Sequence, residues 1–260
     1  MRTGKYQAYS FATRQKAMLA ALLIIALVDL AVSGISVKRI DEETTEQMRL
    51  LTTLHTSMVY EECDRVGGDM RRILMENTDM TAMALNGTDR EKLYAKGNLI
   101  DRLAYSFDSQ DPWQPFFYFE QTGEVLGRSW LSLQEQRESG IVDEAIRQMT
   151  GRAELMTDLQ KWVSFSYDDV YYMLRAYCYN DVWIACYVPA DQLTDSLRQL
   201  YQEEACQVLL LHSDGEVLSG QEIVGQWQLD QRMLAEGGTY YRRHGGRIQV
   251  VKADSAKLDI

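Results

Sequence analysis

The sequence predicts an α+β chain. An N-terminal helix long enough to cross a membrane continues into a stalk helix, and two tandem antiparallel-sheet modules follow, the second incomplete. Three observations carry this prediction. An apolar run of membrane-spanning length lies near the start, a "strand, glycine turn, strand" segment occurs twice, and three strand-like runs are joined by two-residue turns of Asp and Asn.

The apolar run is Ala17 to Val37, interrupted by Asp29. At 1.5 Å per helical residue it spans about 31 Å, the thickness of a hydrocarbon core. Arg2, Lys5, Arg14 and Lys16 precede it, and Asp41, Glu42, Glu43 and Glu46 follow. The positive-inside rule therefore puts residues 1–16 in the cytoplasm and residues 38–260 outside, anchored by the single pass 17–37. Asp29 reads either as a tolerated polar residue or as a contact between helices of a dimer. A cleavable signal peptide, with Ala17–Val28 as its apolar core and small residues around Ala31–Gly34, is the competing reading.

From Ile40 to about Met75 there is no proline. Leu51, Leu54, Met58, Val66, Met70, Ile73 and Leu74 recur at three- and four-residue steps, as in an amphipathic helix. This stalk is assigned to residues 38–85. Glu61, Glu62 and Asp64 read as its solvated face. Thr88-Asp89-Arg90-Glu91 has capping-box spacing and predicts a further helix, with Leu93, Ile100, Leu103 and Phe107 on its apolar side.

Phe116 to Leu126 and Val208 to Leu218 are the repeated segments, and both contain Gly-Glu-Val-Leu. Each reads as a β-hairpin around a glycine turn, so the chain divides into a distal module, 86–195, and an incomplete proximal one, 196–260. In the distal module a helix is predicted over Ile141–Met149. Trp162–Tyr167, Val170–Tyr179 and Val182–Val188 follow as a meander turning at Asp168-Asp169 and Asn180-Asp181. Those turns set a register in which Tyr167 faces Val170, Trp162 faces Arg175 and Cys178 faces Trp183. One face, from Val163 and Phe165 through Tyr172 and Leu174 to Trp183 and Tyr187, is wholly apolar or aromatic and is expected to pack on the stalk. The other carries Trp162, Tyr171, Met173, Arg175, Tyr177 and Cys186, and is mixed. Cys178 and Cys186 fall on opposite faces and cannot bond to each other. Leu193, Leu197, Leu200 and Tyr201 mark a connecting helix, and residues 239–251 suggest two more strands around His244-Gly245-Gly246.

The formal net charge is −11; residues 1–38 carry +4, so the rest of the chain carries −15, its mean field repels phosphate, and it is a poor candidate for a nucleic-acid binder. Cys63, Cys178, Cys186 and Cys206 form no CxxC pair, and His55, His212 and His244 are scattered, so no zinc site or other cofactor is indicated. There is no phosphate-binding glycine loop, nucleophile elbow or zinc-protease motif. His212-Ser213-Asp214 is a turn, because three consecutive residues cannot converge as a triad does. No catalytic residue is assigned, and the chain does not read as an enzyme. Arg175 is the leading candidate for binding. A guanidinium between Trp162, Tyr171 and Tyr177 suits a bidentate grip on a ligand carboxylate; the alternative is an arginine paired internally or reaching the sheet edge. Tyr118, Arg128 and Trp130 are further candidates.

A membrane-emergent long helix followed by two sheet modules, each opened by such a hairpin, resembles the double Cache family of bacterial extracytoplasmic sensors. The run Tyr171-Tyr172-Met173-Leu174-Arg175-Ala176-Tyr177, followed by Asn180-Asp181-Val182-Trp183-Ile184-Ala185, is similar to the central meander of its distal, PAS-like module. The resemblance implies tandem PAS-like modules, a small-molecule ligand in the distal one, and signalling to a histidine kinase, chemoreceptor or membrane-bound regulator. Arg128-Ser129-Trp130 is followed by Leu131, unlike the Arg-x-Trp-Tyr element of amino-acid-binding members. The family's second membrane helix and output domain are not found before Ile260. A homodimer through stalk and membrane helix is expected, since a helix needs a partner to transmit displacement. A membrane-anchored adhesion or scaffold module, or a binding protein secreted after signal cleavage, are the readings from other classes.

Overall fold

The structure is a computed structural model that describes residues 4–76, 79–80, 83, 88–108, 110–128, 135, 140–152, 161–200, 207–212, 215–236, 238–241 and 247–252. Residues 1–51 and 52–260 are two compact units. The first is the leading part of helix α1, Gly4–Glu76. Its side chains from residue 13 to residue 40 are all exposed, among them Leu23, Ile24, Leu30 and Ile35. This helix is long and apolar enough to cross a membrane. Past the apolar run, Lys38–Glu42 and Arg39–Glu43 are i,i+4 ion pairs that support the helix as it continues.

The second unit opens with the rest of α1, which is helical to Glu76; residues 77–78, 81–82 and 84–85 of the expected stalk lie outside the described residues. Helix α2, Asp89–Ser106, starts at the predicted capping box. The Thr88 hydroxyl accepts from the Glu91 amide at 3.4 Å, and the Thr88 amide donates to Glu91 Oε2 at 2.8 Å. Of its expected apolar side, Leu103 and Phe107 are buried, but Leu93 and Ile100 are not, and the buried stripe of the helix is Ala95, Leu99 and Leu103. These three recur at four-residue steps, whereas Leu93 falls on the far side and is 69% exposed.

Strands β1, Gln114–Phe119, and β2, Glu124–Gly127, form the first predicted hairpin, with Gly123 in the left-handed region at φ 67°. Helix α3, Ile141–Gly151, crosses to the meander of β3, Val163–Tyr167, β4, Val170–Tyr179, and β5, Val182–Pro189. Both meander turns are the two-residue kind with positive φ at each position: 51° and 61° at Asp168 and Asp169, 52° and 60° at Asn180 and Asp181. The predicted register holds, with Tyr167 opposite Val170 and Cys178 opposite Trp183. The five strands make one antiparallel sheet in the order β2-β1-β5-β4-β3.

Each face of this sheet is a core. Phe117, Met173, Tyr177, Ile184 and Cys186 pack with Cys63, Val66, Met70, Ile73 and Leu74 of α1 and with the α2 stripe. Phe116, Phe165, Tyr172, Leu174, Trp183 and Tyr187 pack with Val142, Ala145 and Met149 of α3. The face residues are grouped as predicted, but their covers are exchanged. The wholly apolar face lies under α3, and the mixed face with Arg175 lies under the stalk.

Helix α4, Ala190–Leu200, is the predicted connecting helix, with Leu193 and Leu197 buried. His55 Nε2 donates to the Leu193 carbonyl at 2.8 Å and so ties α4 to the stalk. Asp191 and Arg198 of α4 meet Ser219, where the Ser219 hydroxyl donates to Asp191 Oδ1 at 2.5 Å. The second hairpin is short: β6, Leu210–Leu211, and β7, Val217–Ser219, with Gly215 at φ 91°. Helices α5, Gln221–Trp227, and α6, Gln231–Glu236, lead to β8, Gly238–Tyr241, and β9, Arg247–Val250. Strands β6-β7 and β8-β9 are separate two-stranded sheets among the described residues; the predicted turn at His244-Gly245-Gly246 lies outside them.

Candidate functional site

Arg175 sits in the middle of β4, opposite Cys186 of β5, and is only 4% exposed. Its position in the strand alternation turns it toward the stalk rather than toward α3. The guanidinium carbon stands 5.8 Å from the Trp162 ring centroid and 5.2 Å from that of Tyr177. Both distances are within the range at which an aromatic quadrupole attracts a cation. On the helix side the guanidinium lies over Gly67, where a Cβ would come within 2.8 Å of its Cζ and Nη1. The stalk therefore leaves room for the charge by omitting a side chain.

The surroundings of this guanidinium are rich in donors. Among the described residues neither Trp162 Nε1 nor Tyr177 Oη has an acceptor within hydrogen-bond geometry, and the two residues are 2% and 5% exposed. Arg71, one helical turn beyond Gly67, reaches the Tyr177 ring from 5.9 Å. Burial raises the Tyr177 hydroxyl above its ordinary range, while the Arg175 and Arg71 charges pull it back down. Cys63, one turn before Gly67, is pushed up to about 12 by burial, with Arg175 opposing the shift. It is a neutral thiol and not a nucleophile at physiological pH.

The site has an ordered flank. Trp113 packs on Trp162 at a centroid distance of 5.2 Å and donates from Nε1 to Glu62 Oε1 at 3.1 Å. Glu62 accepts from Arg65 Nε at 3.0 Å, and Arg65 also pairs with Asp69 at 3.3 Å. The Arg65 hydrogen bond holds the Glu62 carboxyl below the usual carboxylate range, against the opposing effect of burial. Glu62 is thus a half-buried anchor for Trp113, a correction to the reading of Glu61, Glu62 and Asp64 as one solvated face; Glu61 and Asp64 are exposed. No metal-holding group of His, Cys, Asp and Glu occurs among the described residues.

Of the predicted site residues, the structure brings Arg175, Trp162 and Tyr177 together. Tyr171 lies on the same face but donates its hydroxyl to Glu216 Oε1 at 3.0 Å, linking the meander to the second hairpin. Tyr118 packs on the opposite, α3-covered face. Arg128 donates to the Asp108 carbonyl just past α2. Trp130 lies outside the described residues. Sequence reasoning missed Gly67 and Arg71. Their signal was their spacing from Cys63, at four and eight residues along one side of the stalk.

Tyr187 is a second orphan, on the other face. Its hydroxyl is buried among the rings of Phe116, Phe165 and Tyr172 with no hydrogen-bond partner among the described residues, and burial raises it strongly. Phe165 and Tyr172 stack at 5.2 Å, and Tyr187 meets both edge-on. No family model matches the chain, and neither a curated protein nor a solved structure is significantly similar to it.

Proposed function

We propose that the chain is the sensing part of a membrane-anchored receptor. Residues 17–37 form the anchor, the N-terminus is cytoplasmic, and residues 38–260 carry tandem PAS-like modules outside the cell. In this reading it is the double Cache-like sensor of a kinase, chemoreceptor or membrane-bound regulator, and it dimerises along α1. The single observation that supports it most is the buried arginine with its two orphan donors. A polar group taken out of water without a partner costs free energy, and a ligand that supplies acceptors recovers it.

The location of the cluster suggests how binding would be read out. Arg175 rests against the stalk at Gly67, so a ligand that moves the guanidinium acts on α1 without an intermediary. Occupancy shifts the helix only to the extent that the ligand prefers one of two stalk positions. A thermal-shift screen of small metabolites on the full chain in detergent tests the proposal. A stabilising ligand is expected, with the shift growing with ligand concentration. The absence of any stabilising metabolite would rule the sensing role out.

A further inference from the structure

We infer that the anchor helix docks a membrane helix of a second protein, one that carries a lysine or arginine near its own midpoint, and that Asp29, Ser33 and Ser36 form the docking face. The inference rests on the anchor of the reading above, residues 17–37, and not on its ligand.

The midpoint of that run is residue 27, so Asp29 stands close to the bilayer centre, where an ionisable side chain is most costly. Its side chain is exposed and has neither a hydrogen bond nor an ion pair among the described residues. The cations of the same helix do not reach it. Lys16 comes thirteen residues before it and Lys38 nine after, about 20 Å and about 14 Å along the axis. Lys38 and the adjacent Arg39 are engaged by Glu42 and Glu43.

Ser33 and Ser36 follow Asp29 at four and seven residues, so the three lie on one side of the helix. Both serines are exposed. Further along α1 the hydroxyls of Thr45, Thr56 and Ser57 donate to the carbonyl four residues back, at 2.7, 2.9 and 3.1 Å. Among the described residues neither Ser33 nor Ser36 makes such a bond. One side of an otherwise apolar helix thus presents a carboxyl group and two hydroxyl oxygens.

Lipid tails offer these groups no donor, so the donor has to come from another helix. An ammonium or guanidinium is complementary in charge. It pairs with Asp29, and its remaining N–H groups have the Ser33 oxygen one turn away, with Ser36 continuing the stripe toward the end of the run. In hydrocarbon such a pair is weakened by neither water nor salt. A second copy of the chain does not meet the same need. Two parallel copies bring Asp29 level with Asp29, which adds another carboxyl group and no cation.

The test uses the full chain reconstituted in phosphatidylcholine vesicles, with energy transfer to two synthetic leucine helices, one carrying a single central lysine and one all leucine. Asp29→Leu and the double variant Ser33→Ala with Ser36→Ala are measured beside wild type. These side chains are exposed, so folding should be unaffected, and melting temperatures check this. Wild type is expected to bind the lysine helix at least tenfold more tightly than the leucine helix. Asp29→Leu should abolish that preference, and the serine variant should weaken it several-fold. Equal affinity of wild type for the two helices, or a lysine preference that survives Asp29→Leu, overturns the inference. So does a result in which Asp29→Leu separates two copies of the chain while wild type ignores the lysine helix; the face then belongs to a second copy. Extraction of the vesicles with alkaline carbonate separates this failure from that of the anchor. A chain that stays embedded but is indifferent to lysine keeps its anchor and loses only this partner, whereas a chain that is extracted loses both.

Discussion

Gly67 of α1 and Arg175 of β4 occupy one space between them: a Cβ on the glycine would stand 2.8 Å from the guanidinium carbon. The neighbouring glycine, Gly68, has nothing within 4 Å of the same position. Two adjacent helical glycines therefore have opposite roles. Gly68→Ala should stabilise the protein by about 0.5–1 kcal/mol, the ordinary gain of alanine in a helix. Gly67→Ala should destabilise it by about 1–3 kcal/mol, because overpacking the buried guanidinium outweighs that gain. Denaturation midpoints of the two variants check the contrast, and equal behaviour would show that Arg175 is not seated there.

The flank of the site should respond to acid. Glu62 titrates below its unfolded range because Arg65 and Trp113 donate to its ionised form. A carboxylate depressed on folding contributes stability above its unfolded pKa and loses it as the pH falls through the folded value. Wild type should therefore lose melting temperature as the pH drops below the ordinary carboxylate range, and Glu62→Gln should show a shallower fall. Melting curves between pH 7 and pH 3 measure both. An identical pH profile for the two proteins would remove Glu62 from the account.

The meander turn at Asp168-Asp169 holds both residues at positive φ, 51° and 61°. Glycine occupies that region freely, and a β-branched residue does so at a cost of about 1–2 kcal/mol. Asp169→Gly should leave stability unchanged or raise it, and Asp169→Val should lower it by about 1–2 kcal/mol. Chemical denaturation distinguishes them.

Tyr187 carries a hydroxyl that folding strips of water and leaves without a partner among the described residues. Removing such a group relieves a desolvation penalty of about 1–3 kcal/mol at most, while the ring keeps its edge-on contacts with Phe165 and Tyr172. Tyr187→Phe is expected to be as stable as wild type or more so by about 1 kcal/mol. A clear loss of stability would mean that the hydroxyl is bonded in solution.

The sequence by itself determined the local structure, because local structure follows from short-range rules. The length of the apolar run set α1, the Thr88–Glu91 spacing set the start of α2, and the Asx pairs set the meander turns. Strand alternation then sorted Met173, Arg175 and Tyr177 from Tyr172, Leu174 and Ala176. Which layer covers which face was decided by the tertiary structure. Both faces of the sheet are buried, so apolarity alone does not separate them, and it points the more apolar face to the stalk, where the structure has the mixed one. The placement follows from long-range packing: α3 crosses over one side of the sheet, and Gly67 opens the stalk on the other side to a charge no periodicity would seat in a core. The same long-range packing brought Arg71 to Tyr177, a meeting of residues more than a hundred positions apart that pattern within either segment does not encode.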